Sequence, residues 1–152
     1  MRGGCLRVGE IMDGKHPFIY EDELATKARA MIRDFALRIL PVVKENKKLA
    51  GIISRGDVMT ISSSVSPIRV KGIMTTSKHI AATEDDAAST VKKMIRLDEW
   101  YVPVVNLAQN KTYAGVLGLE NFIEASIKEN LKRLSNSVSE IMPKKRYYLL
   151  PG

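Results

Sequence analysis

Apolar and polar residues follow two different spacings along this chain, and the changes of spacing predict short strands and helices. Residues 23–35 carry apolar side chains at helical spacing, namely Leu24, Ala28, Met31, Ile32 and Phe35. Apolar runs at 18–20, 38–43 and 49–53 are typical of strands, and the polar turn at 46–48 joins the last two into a hairpin. The predicted order is strand, helix, strand, strand, and then a helix that opens at Ser54.

The same phrases return later in the chain, so the sequence contains an internal repeat. Offsets of 62 (69 minus 7, and 103 minus 41) and 64 (114 minus 50) relate three pairs of phrases: Arg7–Met12 with Arg69–Met74, Pro41–Val43 with Pro103–Val105, and Ala50–Ile53 with Ala114–Leu117. The two extra residues fall in the second hairpin turn, Leu107–Thr112.

The second copy repeats the order of elements predicted for the first. Ile80–Ala82 predicts a strand, and a helix is expected to open at Thr83. Three acids then fall in the first turn, where carboxylates suit the helix dipole, and an apolar face follows: Glu84, Asp85 and Asp86, then Ala87, Val91, Met94 and Ile95.

Neither copy is long enough to bury both faces of so small a sheet. We therefore expect an α+β fold in which two β-α-β-β-α repeats, residues 7–64 and 69–127, pack on each other with pseudo-twofold symmetry. Residues 62–67 are the expected linker, and residues 130–137 are expected to lead out of the second closing helix. One pair leaves helix faces exposed, which predicts a homodimer.

A third copy of the opening phrase begins at Val138, near the end of the sequence. Residues 137–152 therefore predict one of two things. They are the start of a third repeat in a chain cut from a longer protein, or they dock Tyr147–Leu150 as a strand on a neighbouring sheet edge.

The most informative phrase for function is Gly51–Asp57, where an apolar strand runs into a polar helix start. A helix N-terminus presents unpaired N–H groups, Ser54 can cap or donate to phosphate, and Gly56 permits close backbone approach. Asp57 can accept from two vicinal hydroxyls. A structural interpretation stays open, because Ser54 and Asp57 stand three residues apart, as in a capping box that only starts the helix.

Pro41–Val43 followed by Gly51–Asp57 resembles the cystathionine β-synthase (CBS) domain, and the doubled phrases resemble a tandem pair over residues 8–125. The resemblance implies two clefts that bind an adenosine-containing ligand such as AMP, ADP, ATP or S-adenosylmethionine. It assigns ribose to Asp57, phosphate to Ser54, with Arg38 as a nearby cation, and the adenine pocket to Ile39 and Leu40. The same site is expected to include three further residues: Pro41, Arg55 and Gly56.

The second copy departs from this motif, because Gly118 stands where Ser54 does and Asn121 where Asp57 does. An amide offers one acceptor oxygen, whereas a carboxylate makes charge-assisted hydrogen bonds. We expect the second cleft, lined by Tyr101, Val102 and Pro103, to be weaker, differently occupied or purely structural. Trp100 and Tyr101 either stack on a base or belong to the core and its rim.

Composition narrows the function classes further. A net charge of +7 and a pI near 9.6 favour anionic partners. The basic residues are scattered, without the aromatic interleaving of a base-stacking surface, so nucleic-acid binding is not favoured. The apolar runs are too short to span a bilayer, and a single thiol, Cys5, fits a reducing cytoplasm.

Catalytic and metal-binding patterns are lacking in the sequence. His16 and His79 have no ligand spacing, and no nucleophile lies in a recognisable context. The first hypothesis is a regulatory ligand sensor, not an enzyme, that requires no cofactor. Two alternatives stay open: a non-catalytic oligomerisation scaffold, and a basic nucleic-acid-binding protein.

Overall fold

The structure is a computed structural model that describes residues 6–61 and 67–141. Its helices are α1 (Val8–Ile11), α2 (Ala25–Asp34), α3 (Arg55–Val58), α4 (Ala87–Arg96) and α5 (Leu119–Ile141), with 3₁₀ turns at Val70–Gly72 and Leu107–Gln109. Its strands are β1 (Ile19–Tyr20), β2 (Ile39–Val43), β3 (Leu49–Ser54), β4 (Ala81–Ala82), β5 (Tyr101–Asn106) and β6 (Thr112–Gly118).

The strands form two three-stranded sheets with the same order and register. β1 is parallel to β2 and β2 is antiparallel to β3, while β4, β5 and β6 repeat this arrangement. Ile19 pairs with Val42 in the first sheet, and Ala81 pairs with Val104 in the second. Each central strand also carries an irregularity at the equivalent place, after Val42 and after Val104. The predicted α+β repeat fold is confirmed.

One predicted helix start is wrong, and side-chain capping explains it. Helix α2 begins at Ala25, within the predicted range 23–35, whereas α4 begins at Ala87 instead of Thr83. The Asp86 carboxylate accepts from the Ser89 N–H at 2.9 Å, and the Asp85 carboxylate accepts from the Ala82 N–H at 2.9 Å. Two of the three acids therefore hold the turn before α4 instead of filling its first turn.

The buried helix faces are narrower than the sequence pattern predicts. Ala28 and Ile32 on α2, and Val91 and Met94 on α4, are buried. Phe35 and Ile95, which we assigned to the same faces, lie at the helix ends and are exposed.

The opening segment of each repeat packs into the core of the other repeat. Val8 is fully buried among residues of the second sheet and α4, such as Val91 and Met94. Val70 is fully buried among residues of the first sheet and α2, such as Ile32. The opening segments of the two predicted repeats are thus exchanged in space.

Backbone hydrogen bonds also join the residues after each opening segment to the hairpin of the other repeat. The Asp13 N–H donates to the Val116 carbonyl oxygen at 2.8 Å, and the Asp13 carbonyl oxygen accepts from the Val116 N–H at 3.1 Å, so the segment after α1 extends the second sheet. Ile52 and Thr75 make the matching pair in the first sheet, with both bonds at 2.9 Å. The chain approaches closely enough that a Cβ built on Gly115 would lie 2.5 Å from the Asp13 carbonyl oxygen.

The described residues up to Phe122 form one compact unit, and those from Ile123 form a second. The second unit continues α5, so residues 130–137, expected to lead out of the closing helix, are helical. Three predicted features lie outside the described residues: Cys5, most of the linker at 62–66, and the docking strand within 142–152. No helix of the described chain is long and apolar enough to cross a membrane.

Gly115→Ala tests the exchanged pairing. The added methyl group would meet backbone atoms that cannot rotate away, so we expect the free energy of unfolding to fall by about 1–3 kcal/mol. Gly14→Ala is the matched control, because its Cβ would approach no described atom closer than 3.9 Å. Urea unfolding followed by circular dichroism measures both, and equal stabilities would show that the close approach is not a constraint.

Candidate functional site: two clefts between the repeats

The first cleft is a cavity of about 560 Å³ whose walls come from both repeats. This volume lies in the range of small-molecule sites. The first repeat supplies the start of β2, the end of β3 and the start of α3, and the second supplies the segment before β5. The lining residues are Arg38, Ile39, Ile52, Ser54, Arg55, Gly56 and residues 98–101.

A residue with left-handed backbone follows both α2 and α4 and directs the chain toward the clefts. Ala36 after α2 has φ 51°, and Asp98 after α4 has φ 58°, at the repeat offset of 62 (98 minus 36). The chain then enters the central strand of each sheet. This turn places Arg38 and Trp100, which occupy equivalent positions (100 minus 38 is 62), in the wall of the first cleft.

Ser54 and Asp57 form the capping box that the sequence analysis gave as the structural interpretation of this motif. The Ser54 N–H donates to Asp57 Oδ2 at 2.8 Å, and the Asp57 N–H donates to Ser54 Oγ at 3.4 Å. Ser54 lines the cleft, whereas Asp57 is half-buried and is absent from the described lining. The carboxylate thus fixes the start of α3 beside the cleft.

Two arginines and two acids give the first cleft its charges. Arg55 Nε donates to the Leu37 carbonyl oxygen at 3.0 Å, which holds this side chain along the cleft. Arg38 is exposed on the same wall, and Asp98 and Glu99 come from the other repeat. The cleft can therefore offer donors to an anion on one side and acceptors to hydroxyl groups on the other.

The structure separates the predicted site residues into two groups. Those at the strand and helix ends, apart from Asp57, line the clefts, but four residues farther along the central strands are buried in the sheets: Leu40, Pro41, Val102 and Pro103. For Trp100 the sequence left two roles open, stacking on a base or packing in the core and its rim. The side chain is 62% exposed and lines the first cleft, not the second. Only its equivalence to Arg38 could have indicated this position.

The second cleft, of about 350 Å³, is assembled from equivalent segments but has a different surface. A Cβ built on Gly118 would lie 2.7 Å from the Tyr101 ring, so the ring leaves no room for a side chain at the position equivalent to Ser54. Asn121 keeps the capping bond, because the Gly118 N–H donates to its Oδ1 at 2.8 Å. The lining residues are Asp13, His16, residues 36–38, Tyr101, Val116, Gly118, Glu120 and Asn121.

Tyr101 is held in place by an acid of α5. Its hydroxyl group donates to Glu120 Oε1 at 2.7 Å, and this hydrogen bond raises the pKa of Tyr101 above its usual value. Arg38 and Tyr101 line both clefts, so the two cavities share a wall. The carboxylates of Asp13 and Glu120 make the second cleft less favourable for an anion.

The two histidines have separate structural environments. His16 Nε2 donates to the Ile39 carbonyl oxygen at 2.9 Å. This hydrogen bond joins the segment after α1 to the start of β2, beside the clefts. His79 is buried, and its pKa is lowered by burial and by the Lys93 charge. Within the described ranges, no group of three acidic, histidine or cysteine side chains could hold a metal ion.

Residues 8–64 match the family model of the CBS domain. Among curated proteins, the chain is 30% identical over 117 residues to a homoserine O-acetyltransferase of Methanococcus vannielii. That alignment covers 75% of this chain and 23% of the enzyme, so the chain spans about a quarter of the length of this curated relative.

Two solved structures show the same fold. One is a CBS domain pair in complex with 5′-methylthioadenosine and S-adenosyl-L-methionine, with a TM-score of 0.66, 21% identity, and coverage of 82% of this chain and 98% of that one. The other is the CBS domain of a bacterial CNNM/CorC family Mg²⁺ transporter in complex with ATP. Its TM-score is 0.66 at 22% identity, with coverage of 78% of this chain and 84% of that one.

A double-mutant cycle tests the packing that distinguishes the second cleft. Gly118→Ser should lower the free energy of unfolding by about 1–3 kcal/mol, because the new Cβ meets the Tyr101 ring. The same substitution should cost much less in a Tyr101→Ile background, since Ile39 is the equivalent residue of the first repeat. Chemical unfolding of the four proteins gives the coupling energy, and an equal cost in both backgrounds would contradict the steric explanation.

Proposed function

Because residues 8–64 are a CBS domain and the chain has the fold of a CBS domain pair, we propose that it is a regulatory module that senses an adenosine-containing ligand. The first cleft is the proposed site, and AMP, ADP, ATP and S-adenosylmethionine are the proposed ligands. One observation carries this proposal: the cleft combines an apolar strip, two arginines and a polar helix start in about 560 Å³.

Each part of the first cleft suits one part of such a ligand. Ile39, Ile52 and the exposed indole ring of Trp100 offer apolar and aromatic surface to a planar base. Ser54 and Arg55 lie together at the start of α3, where a hydroxyl and a guanidinium can donate to phosphate.

Asp57 is the proposed ribose acceptor despite its capping role. Its Oδ2 accepts from the Ser54 N–H, and a carboxylate has a second oxygen with acceptor capacity. Gly56 lies between these residues and lines the cleft, so its backbone can approach a ligand closely. Arg38, on the wall shared with the second cleft, is the proposed second cation for phosphate or carboxylate.

The solved relatives support the ligand class without fixing the compound. Both structures described above hold adenosine compounds, one with a sulfonium or thioether and one with a triphosphate. We propose that the chain itself is not an enzyme, requires no cofactor, and acts in the cytoplasm as a homodimer. Ligand binding would regulate a separate catalytic or transport domain. The alignment of the chain to about a quarter of an acetyltransferase supports this arrangement.

Asp57→Ala and Asn121→Ala form a matched test of the site. Both substitutions remove a side chain that accepts from the N–H three residues earlier, so both should cost about 1 kcal/mol of stability. Only Asp57→Ala removes a charge-assisted ribose acceptor, which should weaken binding by about 1.5–3 kcal/mol, or roughly tenfold to a hundredfold.

Calorimetric titration with AMP, ATP and S-adenosylmethionine measures the difference. No affinity loss in Asp57→Ala would show that Asp57 acts only as a cap, and equal losses in the two variants would show that the second cleft also binds the ligand. An absence of binding to the unmodified chain would contradict the proposed ligand class and favour the scaffold hypothesis. Strong, salt-dependent binding of oligonucleotides in its place would favour the nucleic-acid hypothesis.

A further inference from the structure

Helix α5 carries an apolar stripe that is exposed along its length. Ile123, Ile127, Leu131 and Leu134 are 54%, 51%, 59% and 60% exposed. Their spacings of four, four and three residues place them on one face of the helix. Four branched aliphatic side chains in one row, each more than half exposed, form an unusual surface on a stretch of helix whose other residues are mostly polar.

This α5 stripe is a different face from the one that packs at the start of the helix. Leu119 and Phe122 pack against the core of the second repeat. The row of Phe122 continues through polar positions, Ser126, Glu129 and Arg133, whereas Ile123 lies four residues after Leu119. The α5 stripe therefore begins beside the buried face of the first turn and diverges from the row of Phe122 along the helix, and its four side chains are exposed.

The charges along α5 favour a copy of the same helix in the opposite direction. Residues 119–126 contain Glu120 and Glu124 and no cation, which gives a charge of −2. Residues 127–134 contain Lys128, Lys132 and Arg133 against Glu129, which gives +2. A parallel copy would place like charges side by side, whereas an antiparallel copy places the acidic half against the basic half.

We propose that two copies of this chain associate through the α5 stripe, with the two helices antiparallel. Packing would interdigitate the four aliphatic side chains of each helix, and the complementary halves would set the direction. This assignment rests on the proposed homodimer and is independent of the ligand proposal. It names the surface through which the dimer forms.

Sedimentation equilibrium of the full chain tests the surface. The unmodified protein is expected to dimerise, and Leu131→Lys is expected to raise the dissociation constant by at least about tenfold, because it buries a charge in the row. Asn136→Lys is the matched control: it adds the same charge to an exposed position on the opposite side of the helix and should leave the dimer intact.

The outcomes distinguish the proposed α5 surface from the proposed homodimer and from the proposed ligand site. A monomeric unmodified chain would overturn both the dimer and the surface. A dimer that Leu131→Lys leaves unchanged would overturn the surface and keep the dimer. Unchanged circular dichroism and unchanged AMP affinity in Leu131→Lys would confirm that the variant is folded, so that a loss of dimer is not a loss of structure.

Spin labels test the direction of the helices. In a Cys5→Ser background, single cysteines replace Asn130, near the middle of the stripe, or Ser137, beyond its end; both positions are exposed. With a rise of 1.5 Å per residue, antiparallel packing separates the two labels at 137 by about 25 Å along the axis and those at 130 by about 5 Å. Short distances at both positions would show a parallel pair and overturn the antiparallel assignment.

Discussion

The structure depends on the exchange of opening segments between the two repeats. Val8 fills the core beside the second sheet, and Val70 fills the core beside the first. Fully burying one such side chain contributes about 1.5–3 kcal/mol, so neither core is complete without a segment from the other repeat. The backbone pairs of Asp13 with Val116 and of Thr75 with Ile52 then extend each sheet by the same exchange. The two repeats are therefore expected to fold and unfold together.

The exchange also explains where the clefts lie. Each sheet is bordered by chain from the other repeat, and the ends of the two central hairpins line common cavities. The first cleft consequently combines Ser54 and Arg55 of one repeat with Trp100 of the other. Arg38 and Tyr101 line both cavities, so a ligand in one cleft contacts residues that shape the other. The small differences between the repeats, Tyr101 for Ile39 and Gly118 for Ser54, then give two chemically different sites.

The sequence predicts the sheets well because strand pairing is local to each repeat. The hairpins were predicted, and the offset of 62 relates the observed pairing of Ile19 with Val42 to that of Ala81 with Val104. It could not predict the exchange, because the phrases around Val8 and Val70 are alike and say nothing about which core each one fills. It also misplaced the start of α4, since acids suited to a first helical turn equally suit the capping bonds that Asp85 and Asp86 make. The sequence also did not assign Trp100 to the first cleft. Like Val8, this residue has neighbours from the other repeat, and the sequence does not show which residues of the two repeats meet.

Trp100 provides the most direct test of an adenosyl site in the first cleft, because it is the single tryptophan of the chain and lines that cleft. Its fluorescence can be excited at the red edge of indole absorption, where adenine absorbs little, with N-acetyltryptophanamide as the control for absorption by the ligand. We expect a saturable change in Trp100 emission with AMP, ATP or S-adenosylmethionine. Emission that none of these compounds changes in a saturable way would contradict an adenosyl site in this cleft.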